Sequence, residues 1–182
     1  RDIVKSIYYY TLAANQNHPM SQFSLGLIYS KDKHLMDYSI YYYTLAANQN
    51  NVGAQKTLGW FYFQGIYVQK DVQKAIYYLS QASNQNDEEA QYGLGLIYFI
   101  TESSFHDINK SVFYFTLAAN KNHIKSISNL ATIFFNGYES VKPDFKKAFH
   151  YISIAAKYND PDAQYYLGYY YERGVFVERD ID

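Results

Sequence analysis

Two kinds of segment take turns along the chain, each with apolar positions at helical spacing. One is rich in tyrosine and ends on small residues. Ser6-Ile7-Tyr8-Tyr9-Tyr10-Thr11-Leu12-Ala13-Ala14-Asn15-Gln16-Asn17 returns nearly unchanged from Ser39 to Asn50, and weaker copies begin at Ala75, Ser111 and Ala148. Its apolar residues Ile7, Tyr10, Ala13 and Ala14 fall at i, i+3, i+6 and i+7, as a 3.6-residue period requires. The other segment carries Leu-Gly or Leu-Ala: Leu25-Gly26, Leu58-Gly59, Leu94-Gly95, Leu130-Ala131 and Leu167-Gly168. Both series advance by 33, 36, 36 and 37 residues. Two independent segments moving in step define a repeat of helix pairs. Neither helix could bury its apolar face alone, so neighbouring pairs must stack. The Leu-Gly segments are called A helices below and the Tyr-rich segments B helices.

Polar residues mark where the helices begin and end. Asp2, Asp71, Asp107 and Asp144 precede B helices. There a carboxylate accepts hydrogen bonds from first-turn amides and meets the positive end of the helix dipole. Lys follows three places later, at Lys5, Lys74, Lys110 and Lys147. Asn17, Asn50, Asn86, Asn122 and Asn159 share one position past the small residues. Asn tolerates the left-handed conformation that ends a helix, so these five read as C-terminal caps. Gly26, Gly59, Gly95 and Gly168 lie mid-helix, where glycine costs about 1 kcal/mol relative to alanine. Their recurrence predicts close approach of A and B helices.

The pattern resembles the Sel-one-like repeat, a relative of the tetratricopeptide repeat. That family reads A-x-x-x-L-G-x-x-Y in one helix, then a Gly-containing loop, then D-x-x-K-A and an aromatic helix ending A-A-x-x-G. Ala54 to Tyr62 matches the first helix, Gly65 and Val68 the loop, and Asp71-Val72-Gln73-Lys74-Ala75 the second helix. The resemblance covers essentially the whole chain. Three departures stand out: the closing Gly is Asn in every copy, the loop after Tyr29 is about three residues short with Asp37 two places late, and Thr101 replaces the glycine of the other loops. Local irregularity is expected at those two loops. The resemblance implies an all-α fold, a right-handed α-α superhelix (solenoid) of antiparallel helix pairs with a period of about 36 residues. Residues 1–182 are expected to form a single array of about five helix pairs. Asp2 opens a B helix and Asp180 falls where another should start, so both ends are expected to be incomplete and the chain to be a fragment of a longer array.

The resemblance also implies that A helices line the concave side and that this side binds a protein or peptide. Positions opposite the Leu-Gly stripe are Phe23 and Leu27, then Lys56, Trp60 and Phe63, then Tyr92, Leu96 and Phe99. Ser128, Thr132 and Phe135 follow, then Tyr165 and Tyr169. This row is aromatic, and interface cores and hot spots favour Tyr, Trp and Phe. It is therefore the expected groove, with Trp60 central. A second stripe on the B helices joins Tyr8, Tyr41, Tyr77 and Phe113 to Leu12, Leu45 and Leu117 four residues on. It reads as i, i+4 packing on a solvated face, or as a second contact surface for self-association.

Composition adds limits. Of 182 residues, 20 % are aromatic, with 23 Tyr, and the formal net charge is −1. No basic stripe of the kind that binds nucleic acid is visible. No apolar run nears the ~20 residues that span a bilayer, and Arg1 to Ser6 is not a signal peptide; the compartment stays open. With no cysteine there is neither disulfide nor thiolate chemistry. Ser30-Lys31-Asp32-Lys33 fits the S-x-x-K of penicillin-binding enzymes, and some bacterial members of the family have been linked with β-lactams, but the accompanying motifs are absent. His18, His34, His106, His123 and His150 lack any ligand spacing. Asn109-Lys110-Ser111 is a formal glycosylation sequon at a small, packed position. No enzyme activity, cofactor, metal or nucleic-acid partner is expected; the competing readings are an enzyme or small-ligand binder of β-lactam type and a self-assembling structural array.

Overall fold

The computed structural model describes residues 2–100 and 104–174. Among these residues ten α-helices follow one another: α1 (Ile3–Ala14), α2 (Pro19–Tyr29), α3 (Met36–Asn48), α4 (Val52–Gln64), α5 (Val72–Asn84), α6 (Glu88–Ile100), α7 (Ile108–Ala119), α8 (Ile124–Asn136), α9 (Phe145–Lys157) and α10 (Pro161–Arg173). The described residues contain no strand, only an isolated bridge between Tyr138 and Val141. Even-numbered helices are the A helices and odd-numbered ones the B helices, so the fold is all-α and built of the helix pairs the repeat predicts. The chain falls into two compact units, residues 1–93 and 94–182.

Each B-to-A turn is the same short device. The Asn at its centre has φ between 59° and 63° at all five positions. Its amide bonds back to the carbonyl three residues earlier, as Asn50 does to Ala47 at 3.0 Å. The next amide bonds to the carbonyl five residues earlier, as Asn51 does to Ala46 at 3.0 Å. This pair of bonds is a Schellman motif, which satisfies carbonyls that the helix end leaves open. The residue after the Asn then caps the A helix. The side chains of His18, Asn51, Asp87, His123 and Asp160 accept from the amides of Ser21, Ala54, Ala90, Ser126 and Ala163. The turn histidines therefore have a structural duty that their spacing did not reveal.

A-to-B loops are built around the Asp and Lys of the motif. Asp71, Asp107 and Asp144 each accept from the amide of the Lys three residues on, at 2.9–3.0 Å. The ammonium of that Lys turns back to the same carboxylate and lies over an A-helix ring: Lys74 over Tyr62 at 5.0 Å, Lys110 over Tyr98 at 5.2 Å, Lys147 over Phe134 at 4.9 Å. Each such ring stacks on a B-helix tyrosine, Tyr78, Tyr114 or Tyr151, at 5.7–5.9 Å and nearly parallel. The short loop after Tyr29 keeps the ring stack, Tyr29 on Tyr42 at 5.8 Å, but lacks the capping Asp and its Lys, as its length predicts. Leu35 stands at the cap position without a side-chain bond, a 3-10 turn (Lys33–Leu35) intervenes, and Tyr38 occupies the place of the Lys, its ring 5.8 Å from Tyr29. Thr101 lies outside the described residues.

Within each unit the A helix packs its Leu-Gly face on the following B helix. A Cβ added at Gly26 would come within 2.6 Å of the Tyr43 ring, at Gly59 within 2.5 Å of Leu79, and at Gly95 within 2.4 Å of Phe115. The missing side chains are thus the space into which the B-helix residue inserts. Gly168 differs: nothing among the described residues lies within 4 Å of that position. In the first unit Leu25, Tyr43, Ala46, Leu58 and Leu79 are fully buried or nearly so; in the second, Leu94, Phe115, Leu130, Ile133 and Ile152 are. Buried polar groups tie the first unit across repeats. Gln22 and Gln55 donate to the carbonyls of Ala14 and Ala47, and accept from Gln49 at 2.6 Å and Gln85 at 2.8 Å.

Candidate functional site

In the first unit, Phe23 on α2 is half-buried, its ring covering Gly53 and packing 5.7 Å from Tyr43. Leu27, one turn on, is 45 % exposed. On α4, Trp60 is half-buried with its indole over Gly93, between Phe63 at 5.8 Å and Tyr92 at 6.3 Å. Phe63 is only 9 % exposed, so it supports Trp60 from behind. Tyr92 is half-buried, and burial pushes its hydroxyl above the ordinary phenol range, with Glu89 adding in the same direction. Trp60 and Tyr92 therefore form one aromatic surface held by Phe63 and a glycine floor. Lys56 stands beside it, and its ammonium pairs with Asp87 at 2.8 Å. Asp87 is thus both the cap of α6 and the partner of Lys56, a link between repeats.

In the second unit, Leu96 and Phe99 on α6 are half-buried, and Phe99 meets Phe115 and Tyr138 edge-on at 6.4 and 5.3 Å. Thr132 on α8 is exposed, its hydroxyl donating to the Ser128 carbonyl. Phe135 is half-buried among Phe145, Tyr166 and Tyr170. On α10, Tyr165 is 71 % exposed and Tyr169 41 %, with the Arg173 guanidinium 5.4 Å from the Tyr169 ring. Ser128, Thr132, Phe135 and Tyr165 come together around a cavity of about 510 Å³ between α8 and α10. Asp160 and Asp162 lie on its rim. Neither carboxylate belongs to the A-helix stripe: Asp160 is the cap of α10 and Asp162 lies in its first turn.

The B-helix stripe is also exposed. Tyr8, Tyr41 and Tyr77 in the first unit, and Phe113 in the second, are each 55–58 % accessible. Each leans edge-on against the next ring in sequence at 5.1–5.2 Å. Leu12 is 45 % exposed, while Leu45 and Leu117 are half-buried. The S-x-x-K match dissolves into local structure: Ser30 donates to the Leu27 carbonyl, and Asp32 caps the 3-10 turn that contains Lys33. Ser111 of the sequon is fully buried and donates to the Gly95 carbonyl. No described helix is long and apolar enough to cross a membrane.

Comparison with known proteins agrees with this architecture. The Sel1 repeat model matches six times, at residues 1–18, 19–51, 53–87, 88–123, 124–160 and 161–182. Among solved structures, a Sel1 repeat protein from Oxalobacter formigenes is 31 % identical at a TM-score of 0.76, the match covering 96 % of this chain and 72 % of that one. A protective antigen of uropathogenic Escherichia coli strains, described as displaying an SLR fold, is 30 % identical at 0.78; the match covers 96 % of this chain but spans only 38 % of that one. Two immunity proteins from Pseudomonas aeruginosa share the fold at 20 and 21 % identity, with TM-scores of 0.53 and 0.51. No curated protein matches the chain. Sel1 repeat proteins are generally protein-interaction scaffolds and generally not enzymes. With helix pairs, turns and repeat boundaries all in register, this chain belongs to the Sel1 repeat family.

Proposed function

We propose that residues 1–182 work as one non-catalytic array that binds a protein segment along the A-helix face. The observation that carries this reading is the Trp60–Tyr92 pair, two large rings set side by side, half in solvent, on a rigid floor. Rigid aromatic surfaces of this kind gain affinity with little loss of side-chain entropy. Leu27 in the same unit holds the repeat position of Trp60, and Tyr165 in the other unit that of Tyr92. An extended or helical peptide is the occupant whose alternate side chains can use such regularly spaced anchors.

Selection of peptides from a random display library tests the reading. Trp60 is the chain's one tryptophan, so its emission reports directly on this face. Selected peptides are expected to shift that emission and to lose affinity by about tenfold or more in a Trp60→Ala, Tyr92→Ala, Tyr169→Ala variant that keeps its helical circular dichroism. Peptides that bind the variant as tightly as the wild type would contradict the assignment. The equal exposure of Tyr8, Tyr41 and Tyr77 favours a second reading, self-association through the B helices. Sedimentation of the wild type beside a Tyr8→Ser, Tyr41→Ser, Tyr77→Ser variant decides it: a mass that rises with concentration in the wild type alone supports it.

A further inference from the structure

Asp87 and Asp160 occupy one position of the repeat, the cap of an A helix. In each, Oδ1 accepts from the amide three residues on, at 2.8 and 2.9 Å. What faces Oδ2 differs. At Asp87 it is the Lys56 ammonium, delivered from the preceding A helix at 2.8 Å. At Asp160 the residue in the place of Lys56 is Ser128, whose hydroxyl donates to Oδ2 at 3.1 Å. Among the described residues, neither Asp160 nor Asp162 has a cationic partner. Where a lysine stem would run, the second unit instead has the cavity of about 510 Å³. Phe135, Tyr165 and Tyr166 wall it, with the two carboxylates at its rim.

We propose that this cavity takes a lysine side chain of the bound partner, its ammonium making with Asp160 and Asp162 the ion pair that Lys56 makes internally with Asp87. The inference rests on the reading of the A-helix face as the binding face, and adds the chemistry of one anchor. Aromatic walls suit the four-carbon stem, and ring faces attract an ammonium. The carboxylates supply charge complementarity, which sets partner choice and excludes an acidic residue at this point. The internal precedent is an ammonium on a flexible stem, which distinguishes lysine from the flat, forked guanidinium of arginine.

Titration of the whole chain with N-acetyl-lysine N-methylamide, followed by the amide resonances of Thr132 and Ala163, provides the test. The expected result is a saturable shift, absent with the norleucine counterpart. Asp160→Asn keeps a capping side chain but removes the charge, and should weaken binding about tenfold or more. Ser128→Lys should abolish it by supplying the ammonium internally, with helical circular dichroism unchanged. An equal response to the norleucine probe, no saturable shift, or undiminished binding by Ser128→Lys would overturn the proposal. Peptides that shift Trp60 emission without any response to the lysine probe would sink this assignment and leave the binding face standing. A lysine response without selectable peptides would do the reverse.

Discussion

At the scale of single residues, the decisive choices concern backbone conformation and first-turn amides. The five turn asparagines hold φ near +60°, where a Cβ-bearing residue is strained and glycine is not. Asn50→Ala is expected to destabilise by about 1 kcal/mol and Asn50→Gly to leave stability within a few tenths of wild type or above it, read from urea midpoints. The capping aspartates add a pH dependence. The Lys110 amide bonded to Asp107 holds its carboxyl below the ordinary carboxylate range. A lowered folded-state value means that this stabilisation is complete above the unfolded value, about 4, and is lost as pH falls through the lowered one. Asp107→Asn should therefore cost stability at pH 7, and that difference should shrink as pH falls below about 4, measured by thermal melts across the acid range. These roles were legible in the sequence because each depends on one residue type at a fixed place. The histidine caps were not legible, because an imidazole accepting through one nitrogen leaves no spacing signature.

At the scale of elements, the A and B helices were readable from period and spacing, and the short loop before α3 from its missing residues. The contacts between repeats were less so. Gln55 is fully buried, donates to the Ala47 carbonyl and accepts from Gln85, joining three helix ends in the first unit. In the sequence these glutamines look like ordinary polar residues near helix ends; only packing makes them a ladder. Removing Gln55 takes from the buried Ala47 carbonyl its side-chain donor and from Gln85 one of its acceptors. Gln55→Ala is expected to cost about 1–3 kcal/mol. In a double-mutant cycle with Gln85→Ala, the two effects should fall short of their sum by about 0.5 kcal/mol or more. Simple additivity would show that the ladder carries no coupling. The same limit applied to the site: the stripe on the A helices could be counted out residue by residue, but burial of Phe63 and pairing of Lys56 depend on neighbours far along the chain.

At the scale of the whole molecule, family membership gives the general role, and the choice of face is the proposal to be tested. Two sets of exposed rings compete for the partner, those of the A helices around Trp60 and Tyr165 and those of the B helices at Tyr8, Tyr41 and Tyr77. Both were legible in the sequence, because helical period fixes which residues share a face but not which face meets a partner. Hydroxyl-radical footprinting of the chain, free and saturated with its tightest selected peptide, separates them in one experiment. Protection of Leu27, Trp60, Tyr92 and Tyr165 is expected, with Tyr8, Tyr41 and Tyr77 labelled as in the free chain. Protection of the B-helix tyrosines with unchanged labelling of Trp60 and Tyr92 would contradict it.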